Sequence, residues 1–319
     1  MNAGKFANLF LAAMIAAGTA QAQDFPSKTV RISIAYGAGS GFDLLMRQMA
    51  QEFSTVWKQP VIVENRPGAG GIIAAESCKK AAPDGHSICL SGRDLFFLPS
   101  LIKSLPFDTQ KDFKPITKLF YLTSVVAAHP GAGINSIQDL INVARAKPGQ
   151  LNYGTIGAGS GIHFFFEWLK KENNLDIVHV PYKTPVDLVQ SVVSGQAQVT
   201  LLGALNFLPQ IRAGKARALA VSFPTPLLPD TPTLKEQGIT MDVTNWFGFF
   251  APANTPDEIV RKIHDDVARL YANPAFREKN LIQQGLLPVV NATDEFAKSI
   301  PAEVALGAEL VKLSGARAD

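Results

Sequence analysis

The sequence contains one five-residue motif twice, Gly-Ala-Gly-Ser-Gly, at Gly37 to Gly41 and again at Gly157 to Gly161. Each copy follows a run typical of a β-strand and precedes a run typical of a helix. A glycine-rich turn that opens a helix bares backbone N–H groups at the positive end of the helix dipole, where an anion can bind. Two such turns predict a cleft that holds a small carboxylated molecule between two lobes.

Side chains near these motifs could also contact such a ligand. Arg93 follows the strand that ends near Leu90, and in α/β sheets the loops at the carboxyl ends of parallel strands form the ligand crevice. Ser40 and Ser160 add hydroxyl groups beside the loop amides. The candidate ligand-binding residues are Gly37, Ala38, Gly39, Ser40, Gly41, Phe42, Arg93, Thr155, Gly157, Ala158, Gly159, Ser160, Gly161, His163 and Tyr182.

Structural alternatives stand beside some of these assignments. Arg93 could be a solvated surface residue, and His163 at a helix start could serve the fold alone. Phe164 to Phe166 are successive helix positions, so they cannot all face a cleft. Asp43 directly follows the first motif and is expected to cap or brace its helix, because it would repel an anion.

The composition indicates a globular protein with a small anion as a compatible partner. Of the 319 residues, 47% are hydrophobic, enough for a substantial core in one large or two medium domains. The formal charge of +3 is spread along the chain without a basic block. Nucleic acid is therefore not expected as a partner.

Residues 1–22 have the pattern of a signal peptide. Lys5 precedes an apolar stretch from Phe6 to Ala17, and Ala20-Gln21-Ala22 matches the small-x-small cleavage pattern. The apolar stretch is shorter than the roughly 20 residues that span a bilayer. We therefore expect cleavage after Ala22 and an exported, soluble mature protein.

The sequence has two cysteines, Cys78 and Cys89, on a predicted helix and the next predicted strand. An export compartment permits a disulfide bond between them. Two buried free thiols are the alternative. No CxxC motif or His/Cys cluster accompanies them, so no metal site is predicted.

Strands and helices alternate after Gln23, which predicts an α/β fold with parallel sheets flanked by helices. Two long apolar runs, Pro115 to His129 and Val243 to Ala251, are natural crossings between two lobes, with a hinge at the crossings. The predicted first lobe comprises residues 23–124 and 247–319. The predicted second lobe comprises residues 125–246.

Enzyme motifs are missing from the sequence. Phe42 and Ile162 occupy the position of the last glycine in the dinucleotide motif GxGxxG, and neither motif serine lies in GxSxG. No phosphate-binding Walker loop occurs. We therefore predict no catalytic residues and no cofactor. A sensory protein that presents its ligand to a membrane kinase would use the same fold and stays an alternative.

Longer motifs make the sequence similar to a known family. They include VIVENRPGAGG at Val61 to Gly71, DIVHVPYK at Asp176 to Lys183 and WFGFFAPANTP at Trp246 to Pro256. The mature chain resembles the periplasmic solute-binding receptors of tripartite tricarboxylate transporters, often called Bug-type receptors. The resemblance implies a two-lobed Venus-flytrap fold in the periplasm that closes on a carboxylic acid, held by amides of the two Gly-rich loops, and serves a membrane permease. We expect a monomer.

Departures from the family pattern bear on the ligand. Phe42 replaces a small residue, Phe164 to Phe166 follow the second loop, and Arg93 enters a loop that is usually rich in Ser, Thr and Gly. Leu202 to Leu205 replace a common Asp-Asn-Leu-Pro, which removes an acid. Aromatic rings stack on Phe, and Arg binds carboxylates in a bidentate fork. An aromatic dicarboxylate such as terephthalate is therefore the leading ligand, and aliphatic di- or tricarboxylates are the alternative.

Overall fold

The computed structural model describes residues 25–316, so the predicted signal peptide, residues 1–22, lies outside the described residues. Within this range the chain folds into two β-sheets, each flanked by helices. None of the helices in residues 25–316 combines the length and the apolar character needed to cross a membrane.

The two sheets are formed by different parts of the chain. The larger sheet consists of β1 Val30–Ile34, β2 Val61–Asn65, β3 Ser87–Gly92, β4 Phe113–Leu122, β10 Asn245–Pro252 and β11 Leu286–Pro288. The smaller sheet consists of β5 Ser124–Ala128, β6 Asn152–Thr155, β7 Val178–Pro181, β8 Val199–Gly203 and β9 Arg217–Val221. The strand orders are β11-β4-β10-β3-β1-β2 and β7-β6-β8-β5-β9. We refer to the larger sheet with its helices as the first lobe and to the smaller sheet with its helices as the second lobe.

Helices follow most of the strands, in the alternation that the sequence predicts. They are α1 Gly41–Trp57, α2 Ile72–Lys79, α3 Leu98–Leu101, α4 Ile137–Ala146, α5 Gly161–Asn173, α6 Pro185–Ser194, α7 Ala204–Arg212, α8 Asp257–Ala272, α9 Pro274–Asn280 and α10 Thr293–Ser314.

Both sheets are mixed, and the prediction of parallel sheets was wrong in this respect. β1 is parallel to β2 and β3, and β6 is parallel to β7 and β8. β10 is antiparallel to β3 and β4, and β5 is antiparallel to β8 and β9. The chain enters the smaller sheet through β5 and re-enters the larger sheet through β10, each time coming from the other lobe. Each of these strands therefore begins at the edge of its sheet where the parallel strands end. The carboxyl ends of the parallel strands of both sheets therefore face one gap.

The two crossings between the lobes differ in length. β4 ends at Leu122 in the larger sheet and β5 begins at Ser124 in the smaller sheet, so Thr123 makes the first crossing. The return crossing takes residues 222–244, and the second apolar run forms β10 inside the larger sheet. β10 is almost entirely buried, because a central strand of a sheet covered on both faces is apolar along its whole length.

Each Gly-rich loop lies between a buried strand and a helix with one buried face. In α1, Leu45, Met49 and Phe53 recur every four residues and pack into the core of the first lobe. In α5, Phe165 and Leu169 pack in the same way into the core of the second lobe. The core on both sides therefore fixes the position of each loop.

Two further features shape the gap between the lobes. A disulfide bond joins Cys78 of α2 to Cys89 of β3, whose Cα atoms are 6.1 Å apart. On another side of the gap, Phe97 and Leu310 of the first lobe form an apolar cluster with Phe164 of α5. The ring centroids of Phe97 and Phe164 are 5.9 Å apart, so the lobes contact each other directly there.

Candidate functional site

The first Gly-rich loop is held by a closed set of hydrogen bonds at the start of α1. The Asp43 N–H donates to Ser40 Oγ at 3.3 Å, and the Gly39 N–H donates to the Asp43 carboxylate at 2.8 Å. Asn65 donates to the same carboxylate at 2.8 Å, and Arg47 forms an ion pair with it at 3.0 Å. The hydrogen bond from Arg47 is the main reason that the pKa of Asp43 falls to about 2. Asp43 therefore braces the loop, as the sequence predicted.

The second loop has the same arrangement with a different residue type. The His163 N–H donates to Ser160 Oγ at 3.3 Å, and the Gly159 N–H donates to His163 Nδ1 at 3.2 Å. Because Nδ1 accepts, the neutral ring carries its proton on Nε2. Burial lowers the pKa of His163, which favours this neutral form.

Behind His163 lies a second histidine that completes the brace. The rings of His163 and His179 are stacked with centroids 4.4 Å apart. Thr155 Oγ1 lies 2.7 Å from His179 Nε2 and accepts a hydrogen bond from the Gly157 N–H at 3.0 Å. Burial is the main reason that the pKa of His179 falls to about 4. A neutral, packed group therefore supports the second loop, whereas an ionised carboxylate supports the first.

The first turns of α1 and α5 keep free backbone donors. Among residues 25–316, no acceptor is hydrogen-bonded to the N–H groups of Gly41 and Phe42, or to those of Gly161 and Ile162. These are helix positions whose amides have no intrahelical partner. Each lobe therefore offers a pair of amides to an anion.

Three adjoining cavities occupy the gap between the lobes. The central cavity, about 270 Å³, is lined by both lobes, including Phe42 of α1 and Ser160 and Gly161 of the second loop. The leucine cavity, about 470 Å³, adjoins it and is lined by Ser40, Gly41, Leu44, Leu205 and Leu286 among others. The disulfide cavity, about 300 Å³, lies on the other side against Cys78 and Cys89. Tyr36 lines all three cavities.

The structure separates the predicted site residues into three groups. Phe42, Arg93, Ser160 and Gly161 line the central cavity, and Ser40, Gly41 and Phe42 line the leucine cavity. Thr155 and His163 are buried and support the second loop from behind. The remaining predicted residues do not line the three cavities: Gly37, Ala38, Gly39, Gly157, Ala158, Gly159 and Tyr182.

Arg93 does not present the free carboxylate-binding fork that the sequence predicted. Its Nε donates to Glu303 at 2.6 Å, and its Nη2 donates to Asp242 at 2.8 Å. Its Nη1 donates to the backbone carbonyl of Thr244 at 2.7 Å. The guanidinium is therefore occupied by two carboxylates and a carbonyl, and it ties the first lobe to the return crossing and to α10.

The three successive Phe residues of α5 divide between two environments. Phe165 and Phe166 are fully buried in the core of the second lobe. Phe164 lies in the apolar cluster between the lobes and also lines the central cavity. Phe42 packs against Phe247 and Tyr36 with ring centroids 4.4 and 4.5 Å apart. The central cavity thus has an aromatic wall on each side.

Sequence reasoning missed two polar residues of the cleft, Tyr36 and Asp94. Both line the central cavity and the disulfide cavity. Their positions in the sequence could have indicated a place in the cleft, because Tyr36 immediately precedes the first Gly-rich motif and Asp94 immediately follows Arg93. No group of His, Cys, Asp or Glu side chains in residues 25–316 has the arrangement of a metal site.

Two sheets joined by two crossings, with free helix amides opening on the cleft between them, define a solute-binding protein of the two-lobed periplasmic class. Residues 45–315 match the sequence profile of TctC, the tripartite tricarboxylate transporter family receptor. The chain belongs to this family. Its family and fold are those of transport receptors, not of enzymes, and a family of periplasmic binding proteins implies a periplasmic location.

Relatives and solved structures agree with this membership. A UPF0065 protein of Bordetella pertussis is 33% identical over 272 residues, 84% of each chain. BugT of the same organism is 27% identical over 318 residues, 97% of this chain and 96% of BugT.

Two solved structures resemble the whole fold. An R. palustris protein with adipate has a TM-score of 0.80 at 27% identity, over 92% of this chain and 99% of that chain. MatC from Rhodopseudomonas palustris with bound malate has a TM-score of 0.74 at 27% identity, over 90% of this chain and 100% of that chain. The predicted two-lobed α/β binding-protein fold is confirmed by these likenesses.

Proposed function

We propose that this receptor captures a small carboxylate between its lobes and delivers it to the membrane permease of a tripartite tricarboxylate transporter. The observation that carries the proposal is the pair of helix starts at Gly41 and Gly161, whose free amides open on one cleft from opposite lobes. Hydrogen bonds from neutral amides to a carboxylate are strengthened by its charge. The adipate and malate bound by the two similar R. palustris proteins support the same ligand class.

The ligand class that we favour is an aromatic dicarboxylate such as terephthalate. Phe42 and Phe164 give the central cavity aromatic walls on both lobes, and a flat ring can stack between or against them. The volume of the central cavity, about 270 Å³, is close to the lower limit of ligand-pocket volumes, roughly 300 Å³. This size favours a small ligand. Aliphatic di- or tricarboxylates are the second candidate, because the similar R. palustris proteins were solved with aliphatic acids.

Capture by hinge closure follows from the way the lobes are joined. The lobes are linked by Thr123 and by residues 222–244, so they can rotate about these crossings. A ligand that contacts amides of both lobes stabilises the closed form, which the permease then recognises. We propose lobe boundaries at residues 23–124 with 247–319 and at residues 125–246, and a monomeric receptor. A ligand-presenting sensor would use the same closure.

Proline substitution tests the amide contacts directly. Proline is favoured at the first position of a helix and lacks the N–H. Ser40 and Ser160 already have extended backbones, with ψ of 159° and 155°, as a residue before proline requires. We therefore expect Gly161→Pro and Gly41→Pro to fold normally and to weaken carboxylate binding about tenfold each, the loss of one charge-assisted hydrogen bond.

Alanine at the same positions is the matched control. A Cβ atom at Gly41 or Gly161 would meet no atom within 4 Å, and the amide donor is kept. Calorimetry of the mature protein with terephthalate, adipate and malate should show a loss for the proline variants only. Equal affinities for the proline and alanine variants would refute the amide contacts. No binding of any of the three acids to the wild-type protein would refute carboxylate capture.

A further inference from the structure

Asp94 lies where the central cavity meets the disulfide cavity. It belongs to the short helical turn Arg93–Phe96 after β3 and lines both cavities. Asp94 is exposed to the cleft, and among residues 25–316 no donor is hydrogen-bonded to its carboxylate. The cleft therefore contains a carboxylate without a partner in the protein.

The neighbouring Arg93 makes no hydrogen bond to Asp94 and compensates its charge only in part. The Arg93 guanidinium donates to Glu303 and Asp242, which are two acids for one cation. Burial raises the pKa of Asp94, and Arg93 opposes this shift only in part. The exposed carboxylate is therefore free to accept a hydrogen bond from a ligand.

The disulfide cavity offers further acceptors and no cationic side chain. Ser33 is 8% exposed, and its Oγ is buried without a hydrogen-bond partner. Ser33, Ser91 and Asp94 line the cavity, whereas none of its lining residues in the described part is Lys, Arg or His. A second carboxylate would find no cation there. A hydroxyl or ammonium group would find acceptors.

Tyr36 lines the same junction and adds one donor. Burial, with the nearby charge of Asp94, raises the pKa of Tyr36, so its hydroxyl keeps its proton. Asp94 and Tyr36 together thus provide an acceptor and a donor at the junction of the two cavities. This pair suits a carbon that carries both a carboxylate and a hydroxyl or ammonium group.

We propose that Asp94 determines specificity by accepting a hydrogen bond from a hydroxyl or ammonium group adjacent to one ligand carboxylate. The receptor then prefers 2-hydroxy or 2-amino carboxylates over the unsubstituted acids. This inference rests on the proposed function, since it assumes that the cleft holds a carboxylate ligand. In this proposal the acidic side chain that contacts the ligand lies on the first lobe. The resemblance to the family had pointed to a different acid, on the second lobe, which Leu202 to Leu205 replace in this chain.

Two matched ligand series test the proposal by calorimetry on the mature receptor. The aliphatic series is succinate, malate and aspartate. The aromatic series is 4-(carboxymethyl)benzoate, 4-carboxymandelate and 4-carboxyphenylglycine. Within each series the members differ only in hydrogen, hydroxyl or ammonium at one carbon. We expect the hydroxyl member, the ammonium member or both to bind about tenfold more tightly than the unsubstituted member, as expected for a hydrogen bond to a charged group.

Variants of Asp94 assign the preference to this residue. Asp94→Ala should reduce the preference for both donors to about onefold, because no acceptor remains. Asp94→Asn keeps a carbonyl acceptor but removes the negative charge. It should therefore reduce the preference for the ammonium member more than the preference for the hydroxyl member. Asp230→Asn, an exposed residue outside the three cavities, is the control and should leave the preference unchanged. Thermal melting of each variant checks that it is folded.

The outcomes separate this inference from the proposed function. Equal binding of all members of a series by the wild-type protein overturns the inference and leaves carboxylate capture standing. A preference that survives Asp94→Ala also overturns it. Weaker binding of the unsubstituted acid after Asp94→Ala would show that Asp94 acts as a protonated donor and would overturn it as well. If no member of either series binds, carboxylate capture fails and the inference fails with it.

Discussion

His163 in the second lobe takes the place that Asp43 has in the first lobe. Each side chain accepts a hydrogen bond from the glycine N–H four residues earlier, at 3.2 Å from Gly159 and at 2.8 Å from Gly39. Each also follows the capping serine of its helix by three residues. The two loops therefore share a geometry but not a charge, since Asp43 is ionised and His163 is neutral.

Acid should loosen the second loop before the first. The pKa of His179 is lowered from 6.5 to about 4, and that of His163 is lowered too. A histidine whose pKa is lower in the folded state stabilises the fold above pH 6.5, and this stability is lost as the pH falls from 6.5 toward about 4. The contribution of Asp43 is lost only as the pH falls from 3.8 toward about 2. We expect the melting temperature to decline as the pH falls from 6.5 toward about 4. Carboxylate affinity should change only as the pH approaches about 4, where the His179 ring becomes protonated in the folded protein.

A pair of variants assigns this decline to the second loop. His163→Gln removes one titrating ring and should flatten the pH profile of ligand affinity. His264→Gln changes a histidine of α8 outside the three cavities and should leave the profile as in the wild type. Identical profiles for the wild type and His163→Gln would contradict the role of His163.

Phe42→Ala should weaken aromatic ligands selectively. The ring packs against Phe247 and Tyr36 and lines the central cavity, so it can stack on a ligand ring. We expect about a three- to tenfold loss for terephthalate, corresponding to about 0.5–1.5 kcal/mol for an aromatic pair, and a smaller loss for adipate. Phe42→Leu, which keeps most of the volume, separates stacking from packing. Equal losses for both ligands, measured by calorimetry, would assign Phe42 to the core alone.

Arg93→Ala should affect stability more than ligand charge recognition. The substitution leaves Glu303, whose side chain is 11% exposed, without its cation, and it also frees Asp242. Breaking a buried pair in this way costs about 3 kcal/mol of unfolding free energy. The exposed Arg145→Ala should change it by less than about 0.5 kcal/mol. Denaturant unfolding measures both.

Ligand affinities of the Arg93→Ala variant test whether Arg93 also binds a ligand carboxylate. Because its guanidinium is already occupied, a dicarboxylate and its monocarboxylate analogue should lose affinity equally. A markedly larger loss for the dicarboxylate would restore the carboxylate fork that the sequence predicted.

Gly159→Ala should impede closure of the lobes. Gly159 has a φ of 76°, and a Cβ atom there would lie 2.9 Å from Leu101 of α3 in the opposite lobe. Gly214 has a similar φ of 67° but no atom within 4 Å of its Cβ position. Gly214→Ala therefore carries the backbone strain of about 1 kcal/mol without the contact between lobes. We expect both variants to lose stability and only Gly159→Ala to lose ligand affinity; equal affinities would show that the contact does not limit closure.

The local order of the chain was predictable from its residues. The capping serines, the apolar faces of α1 and α5 and the β-branched strands determine where each element begins and ends, because these signals act over a few residues. The repeated motif predicted a loop in each lobe for the same reason. The resemblance of longer motifs added the family, which the comparisons confirmed.

Pairings between distant residues were decided only by the tertiary structure. Arg93 meets Glu303, 210 positions away, so no local pattern could show that its charge is occupied. The choice of Phe164 over Phe165 for the contact between lobes depends on how α5 is rotated against α10. Asp94 and Tyr36 became cleft residues because β1 and β3 lie side by side and end at one edge. Sequence periodicity determines which face of an element is buried, whereas only packing determines what that face meets.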